Sequence, residues 1–124
     1  MNEDMKNYKD LIVWQKSIDL VEEIYKVTSL LPNEELYGLS IQLKRAAVSI
    51  PSNIAEGYER NTTKDYIKFL SIAKASRAEV ETQLYICKRL GFLSDEDIKI
   101  AFDLCDEIKR MIISMLKSMN NGNV

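Results

Sequence analysis

Apolar residues recur every three or four positions in four successive segments of this chain, and this spacing constrains the fold more than any other feature. An α-helix has about 3.6 residues per turn, so side chains at this spacing lie on one face and can be buried together. The segments are separated by Pro32, Gly57 and Gly91, residue types that typically end helices. The sequence therefore predicts four helices, at roughly residues 11–31, 34–57, 63–90 and 95–119.

Each predicted helix has a line of residues expected to face the core. In the first two helices these are Leu11, Trp14, Ile18, Val21, Tyr25 and Thr28, then Leu39, Leu43, Ala47, Ile50 and Ile54. In the last two they are Tyr66, Phe69, Leu70, Ala73, Val80, Leu84 and Cys87, then Ile98, Ala101, Phe102, Cys105, Ile108, Ile112, Met115 and Met119. Because the connections are short, consecutive helices are expected to pack as antiparallel neighbours. The predicted fold class is all-α, an antiparallel up-down-up-down four-helix bundle, in a single domain over residues 1–124.

Short motifs predict the helix ends. Asn33, Thr62 and Ser94 are expected N-caps, and the last two are each followed three positions later by an aspartate, as in a capping box. Gly57 is a candidate terminator of the second helix, and Gly91 followed by Phe92 resembles a glycine C-cap.

Pro51 lies within the apolar line of the second helix. Proline has no amide hydrogen to donate to the carbonyl of Ala47, so we expect a kink between Ala47 and Pro51. A full break of the helix at this point is the alternative.

The first and fourth predicted helices carry more apolar residues than one core face can use. The residues outside the main lines are Ile12, Val13, Leu20, Ile24 and Val27, then Ile100, Leu104, Met111, Ile113 and Leu116. Burial between subunits accounts for such a surplus better than exposure to water does. We therefore expect a homo-oligomer, with a monomer that has wide core faces as the alternative.

Charge is distributed unevenly along the chain. The formal net charge is −2 and the isoelectric point is near 5.2, which argues against the strongly basic surface of a dedicated nucleic-acid binder. Residues 40–91, however, hold nine basic against five acidic residues, whereas residues 1–39 hold four against eight. The basic excess therefore lies in the middle of the chain.

Several function classes are disfavoured by what the sequence lacks. The chain has no histidine, which removes the commonest general base and metal ligand, and it has no glycine-rich phosphate loop. Cys87 and Cys105 lack the spacing of a zinc site, and we interpret them as reduced core thiols. We nominate no catalytic residue, cofactor or metal, and we expect a cytoplasmic protein that does not span a membrane.

A polar line runs beside the apolar line of the second helix and continues onto the third. Its members are Gln42, Arg45, Ser49, Asn53, Glu56, Glu79 and Gln83. One hypothesis is an interface network centred on an ion pair between Arg45 and Glu79, which would fix register. The other is a solvated helix flank.

A candidate nucleic-acid face comes from basic residues around the third helix. Its members are Lys44, Arg60, Lys64, Lys68, Lys74, Lys88 and Arg89. Such a face could neutralise phosphates, and a ring of subunits would multiply the effect. A solvated helix face with no ligand is the alternative.

Three segments have specific sequences: DLIVWQKSIDLVEEIYKVT at residues 10–28, YGLSIQLKRAAVSIPSNIAEGYER at 37–60 and AKASRAEVETQL at 73–84. Together they resemble the 23S rRNA intervening-sequence protein family, also called four-helix-bundle proteins. The resemblance implies a bacterial four-helix bundle that assembles as a ring-shaped pentamer and has no enzymatic activity. It also implies that Asn53, Glu56 and Gly57, which belong to the family's SNIAEG motif, have a structural role.

The same family is similar to the accessory variability determinant of diversity-generating retroelements, a basic pentamer that binds a reverse transcriptase and nucleic acid. This chain differs from that relative in being acidic. The leading hypothesis is therefore a non-catalytic oligomeric scaffold that binds RNA or a ribonucleoprotein partner. Two alternatives stay open: a protein-interaction scaffold without nucleic-acid affinity, and a small-molecule binder with a pocket inside the bundle.

Overall fold

Four α-helices make up most of the computed structural model, which describes residues 6–121. They are α1 (Ile12–Thr28), α2 (Leu39–Tyr58), α3 (Thr63–Arg89) and α4 (Asp95–Asn120). Short 3-10 turns at Tyr8–Asp10 and Asn33–Glu35 precede α1 and α2. The predicted all-α class is confirmed. The single domain predicted over residues 1–124 extends beyond the described part of the chain at both ends.

Each helix packs against two others, so that α1, α2, α3 and α4 form a closed square in chain order. The fully buried core contains large aliphatic residues from every helix, for example Leu20, Ile50, Leu84 and Ile108. The predicted core lines of the last three helices are confirmed at their centres. Leu39, Tyr66, Phe102, Met115 and Met119 pack against the core from its edge, and Phe69 is only partly buried.

Ser94 and Thr62 cap α4 and α3 as predicted, although only α4 has the reciprocal hydrogen bond of a capping box. The Ser94 hydroxyl accepts a hydrogen bond from the Asp97 amide, and the Asp97 carboxylate accepts one from the Ser94 amide. Thr62 accepts from the amide of Asp65 in the same way. Gly91 has φ +82°, the left-handed conformation that glycine adopts without a Cβ penalty, and it ends the turn after α3.

The start of the second helix differs from the prediction. Asn33 does not cap a helix, because the chain first makes a 3-10 turn at Asn33–Glu35, and α2 begins only at Leu39. The Glu35 carboxylate instead accepts a hydrogen bond of 3.3 Å from the amide of Leu39. A carboxylate at this end of a helix is favourable because the first amides have no partner within the helix.

The core face of α1 also differs from the prediction. The buried apolar residues are Val13, Leu20, Ile24 and Val27, which the sequence pattern had assigned to the surplus, while Tyr25 is 50% exposed. Both lines of residues are apolar at helical spacing, so periodicity could not decide which one faces inward. Of the predicted surplus on α1, Ile12 is 61% exposed, whereas Trp14, Ile18 and Val21 of the predicted core line are only partly buried.

Gly57 lies inside α2 and is not its terminator. A Cβ atom at this position would lie 2.8 Å from the Cβ of Phe69, so glycine allows α2 and α3 to approach closely. α2 is continuous through Pro51, which excludes a full break of the helix, and the kink stays a prediction.

Candidate interaction surfaces

Polar side chains connect α2 and α3 at the centre of their interface. The hydroxyl oxygens of Ser49 and Ser76 are 2.9 Å apart, and Asn53 donates to the carbonyl and the hydroxyl of Ser49 at 2.8 and 2.9 Å. At one end of the interface the hydrogen bonds are longer, because the Gln83 amide nitrogen lies 3.5 Å from its acceptors on Gln42 and Glu79. Ser49, Asn53, Gln42 and Gln83 of the predicted polar line thus lie at the helix interface.

Arg45 and Glu79 do not form the ion pair considered for this line. Both side chains are exposed, and neither makes an ion pair with any residue between 6 and 121. Glu56 is likewise exposed and pairs with Arg60 at 3.0 Å. Arg45 points away from the core because it lies opposite the buried residues Leu43 and Ala47 on the helix.

The least exposed ion pair among residues 6–121 is formed by Arg77 and Glu81. Their side chains are 11% and 29% exposed, and they lie near Cys105 of α4. Sequence reasoning missed this pair, although its spacing of four residues along one helix is the usual spacing of helical ion pairs. It was missed because α3 carries several charges and the pattern did not show which of them face α4.

The seven basic residues proposed as a nucleic-acid face do not lie together. Lys44 stacks over the ring of Tyr25, and Arg60 stacks over Phe69. Lys88 pairs with Asp95 at 2.6 Å, while Arg89 donates to the hydroxyl of Tyr85. These four side chains are therefore already engaged within the bundle.

Lys64, Lys68 and Lys74 make no ion pair within the described residues, and the first two are exposed one turn apart at the start of α3. At a rise of 1.5 Å per residue, Lys64 and Arg89 are separated by roughly 37 Å along α3. The candidate face is thus divided between the two ends of the helix. Of these two ends, the one that carries Lys64 and Lys68 presents ammonium groups without an acidic partner in the described chain.

Burial favours the neutral form of three titratable side chains in and beside the core. Burial raises the pKa of the Cys105 thiol to about 12, and burial also raises the pKa of Cys87. Tyr66, whose ring lies edge-on to Tyr58 at 6.2 Å, has its pKa raised by burial to about 12. Groups with raised pKa stay protonated at neutral pH, so the two thiols are poor nucleophiles in the folded chain.

Neither a metal-binding cluster nor a membrane-spanning helix is present between residues 6 and 121. Histidine, cysteine, aspartate and glutamate form no group of three there that could hold a metal ion. None of the helices described is sufficiently long and apolar to cross a membrane.

A groove between α1 and α4 is the largest surface depression described for the bundle. Its charged lining consists of Asp19, Glu22, Glu23, Asp103, Glu107 and Lys26. Ile100 and Leu104 of α4 contribute apolar surface, and Ile100 is 58% exposed. This α1–α4 groove therefore combines exposed hydrophobic side chains with an acidic rim.

Comparison with known proteins places this chain in a family. The family model described as 23S rRNA-intervening sequence protein matches residues 9–114, which span all four helices. The chain is also similar to a protein of unknown function from the S23 ribosomal protein family of Bacteroides thetaiotaomicron, known from a crystal structure, at 26% identity and a TM-score of 0.79. That alignment covers 86% of this chain and 99% of the other. No curated protein matches. This chain belongs to the 23S rRNA-intervening sequence protein family.

Proposed function

We propose that this protein is a non-catalytic scaffold that assembles with copies of itself into a ring-shaped pentamer. In this proposal the ring contacts RNA or a ribonucleoprotein partner through the end of the bundle that carries Lys64 and Lys68. The cytoplasmic location expected from the sequence is part of the proposal.

Exposed hydrophobic side chains carry the self-assembly part of the proposal. Large apolar residues such as Ile12, Ile100 and Ile113 are 61%, 58% and 41% exposed, although α1 and α4 already fill the core with other residues. Water-exposed apolar surface on a small bundle is stabilised by burial against another subunit. The pentameric number comes from the family resemblance alone.

Charge distribution supports the nucleic-acid part. α2 and α3 carry eight basic and four acidic residues, net +4, whereas α1 and α4 carry six basic and nine acidic residues, net −3. Lys64 and Lys68 lie at one end of the bundle, so a ring would repeat them around one rim. Repetition raises the affinity for a polyanion without any new contact within a subunit. The similarity to the accessory variability determinant points the same way and stays a prediction.

A protein-interaction scaffold without nucleic-acid affinity is the second candidate. It is favoured by the engagement of Lys44, Arg60, Lys88 and Arg89 within the bundle and by the net charge of −2.

The two candidates are separated by measuring binding of a fluorescent structured RNA to the purified assembly across a salt series. The first predicts binding that weakens steeply with salt, and substitution of Lys64→Glu with Lys68→Glu should lower the salt slope by about one for each lysine. Lys109→Glu, at an exposed lysine of α4 outside the groove, makes the same charge change as either single substitution and should preserve more of the binding than Lys64→Glu or Lys68→Glu alone. Absence of binding at low salt would reject the nucleic-acid part and favour the second candidate.

A further inference from the structure

Two of the exposed apolar surfaces of the bundle have opposite electrostatic character. One is the α1–α4 groove, where Ile100 and Leu104 are flanked by five carboxylates and one lysine. The other is the outer side of α2, where Ile41 and Val48 flank Arg45 within about one helical turn on either side. We call the residues Ile41, Arg45 and Val48 the α2 ridge.

We propose that the α2 ridge of one copy docks in the α1–α4 groove of the next copy, with the Arg45 guanidinium among the groove's carboxylates. The inference rests on the proposed self-assembly and adds to it the two surfaces that meet. An interface between two different surfaces of the same chain is heterologous, which is the kind of interface that a ring requires.

The groove carboxylates are incompletely neutralised within one chain. Glu107 pairs with Lys16 and Asp103 with Lys99, both at 3.1 Å, but Asp19, Glu22 and Glu23 form no ion pair with the described residues. Asp19 and Glu23 are also four residues apart on α1, the spacing at which like charges destabilise a helix. A cation from outside the subunit would relieve this repulsion.

Arg45 has the complementary properties. Its side chain is exposed and unpaired within the described chain, and Val48 beside it is 40% exposed. An arginine has an apolar stem and a planar guanidinium that binds carboxylates in a forked geometry, which suits a groove with apolar walls and an acidic rim. Arginine is also among the residues that most often dominate the energy of an interface.

The two surfaces lie at the same height along the bundle. The ammonium of Lys44, the neighbour of Arg45, lies 4.8 Å from the ring centre of Tyr25, and Tyr25 lines the groove. When helices run parallel to the axis of a ring, rotation brings surfaces of equal height together. The ridge on α2 and the groove between α1 and α4 meet this requirement without a shift along the axis.

The test is a charge exchange followed by analytical ultracentrifugation of the full chain. Arg45→Glu should raise the dissociation constant of the assembly by roughly 30-fold or more, the effect of losing an interface hot spot. Asp19→Arg with Glu22→Arg should do the same from the other side. Lys109→Glu is the matched control, because Lys109 is an exposed cation of α4 outside the groove and its substitution should leave the assembly intact.

All three substitutions in one chain should restore assembly, since the ridge would then present a carboxylate to the two guanidinium groups introduced into the groove. Circular dichroism checks that each variant retains its helices. An intact oligomer in Arg45→Glu, or a folded triple variant that stays monomeric, would overturn the docking mode and leave self-assembly standing. A wild-type chain that is monomeric at every concentration would instead reject the proposed function itself.

Discussion

The α2–α3 and α1–α4 interfaces lie on opposite sides of the same bundle and are built differently. α2 and α3 approach closely at Gly57, and the hydroxyls of Ser49 and Ser76 meet across the interface at 2.9 Å. Across the α1–α4 interface the ion pair between Lys16 and Glu107 spans the helices at 3.1 Å, beside an open groove.

The difference comes from residue size and charge. Small side chains let two helices close onto each other, as they do between α2 and α3, where the hydroxyls of Ser49 and Ser76 satisfy each other. Large aliphatic residues and like charges, such as Ile100 with Asp103 and Glu107, leave apolar surface in contact with water. The α2–α3 interface is therefore closely packed within the subunit, whereas the α1–α4 interface leaves a groove suited to receive a second subunit.

The largest predicted loss of stability comes from preventing the close approach of α2 and α3. Gly57→Val places new atoms against Phe69 and Tyr66, where even a Cβ would lie at 2.8 and 3.0 Å, so we expect a loss of about 3 kcal/mol in the free energy of unfolding. Urea denaturation at fixed protein concentration measures it. Ala75→Val, on the exposed surface of α3, adds the same kind of side chain and should change stability by about 0.5 kcal/mol or less.

Removing one partner of the ion pair between Arg77 and Glu81 should have the next largest effect. Glu81→Leu leaves the guanidinium of Arg77 buried without its carboxylate, and we expect a loss of about 2 kcal/mol. Arg77→Met with Glu81→Leu replaces both charges by apolar side chains and should recover most of that loss. If the double variant is as unstable as the single one, the cost lies in packing and not in the unpaired charge.

Hydrogen bonding across α2 and α3 should contribute less. Ser76→Ala removes the hydroxyl that meets Ser49 and should lower the free energy of unfolding by about 1 kcal/mol. Gln42→Ala removes a contact of 3.5 Å at the edge of hydrogen-bonding distance, and a loss well below that of Ser76→Ala is expected. If Ser76→Ala and Gln42→Ala lower the free energy of unfolding equally in thermal or urea melts, the two ends of the interface contribute equally to stability.

Substitutions in the α1–α4 groove should have the smallest effect on the stability of the fold. Ile100→Ser removes an apolar side chain that is 58% exposed, so the helical content should persist and the unfolding free energy of the isolated subunit should change by about 0.5 kcal/mol or less. Assembly should nevertheless weaken, because the lost surface belongs to the groove. Sedimentation at several concentrations separates the two effects, and an unchanged assembly would remove Ile100 from the interface.

Much of the fold could be predicted from the sequence, since core periodicity and capping motifs are local signals. Ser94 with Asp97 and the turn at Gly91 needed no tertiary information. The face of α1 could not be assigned, because two apolar lines compete and only packing against α2 and α4 decides between them. For the same reason Gly57 was taken as a terminator, when its role depends on the distance to Phe69 in another helix.

The candidate surfaces were predicted less well than the fold. The helical spacing of the sequence placed Lys64 and Arg89 on the same face of α3. It could not show that Lys88 and Arg89 have partners at the far end of that helix. Four residues of the polar line lie at the α2–α3 interface, whereas its proposed ion pair depended on side-chain directions that spacing does not specify. The pair of Arg77 and Glu81 required knowledge of which side of α3 meets α4.

The mass of the purified wild-type chain in solution, measured together with its ultraviolet absorbance ratio, tests the central claim most directly. We expect an assembly of five subunits, each of 14.3 kDa, held together by surfaces that the single bundle leaves open. The absorbance ratio shows at the same time whether nucleic acid accompanies the protein. A mass of one subunit that persists as the concentration rises would contradict the account.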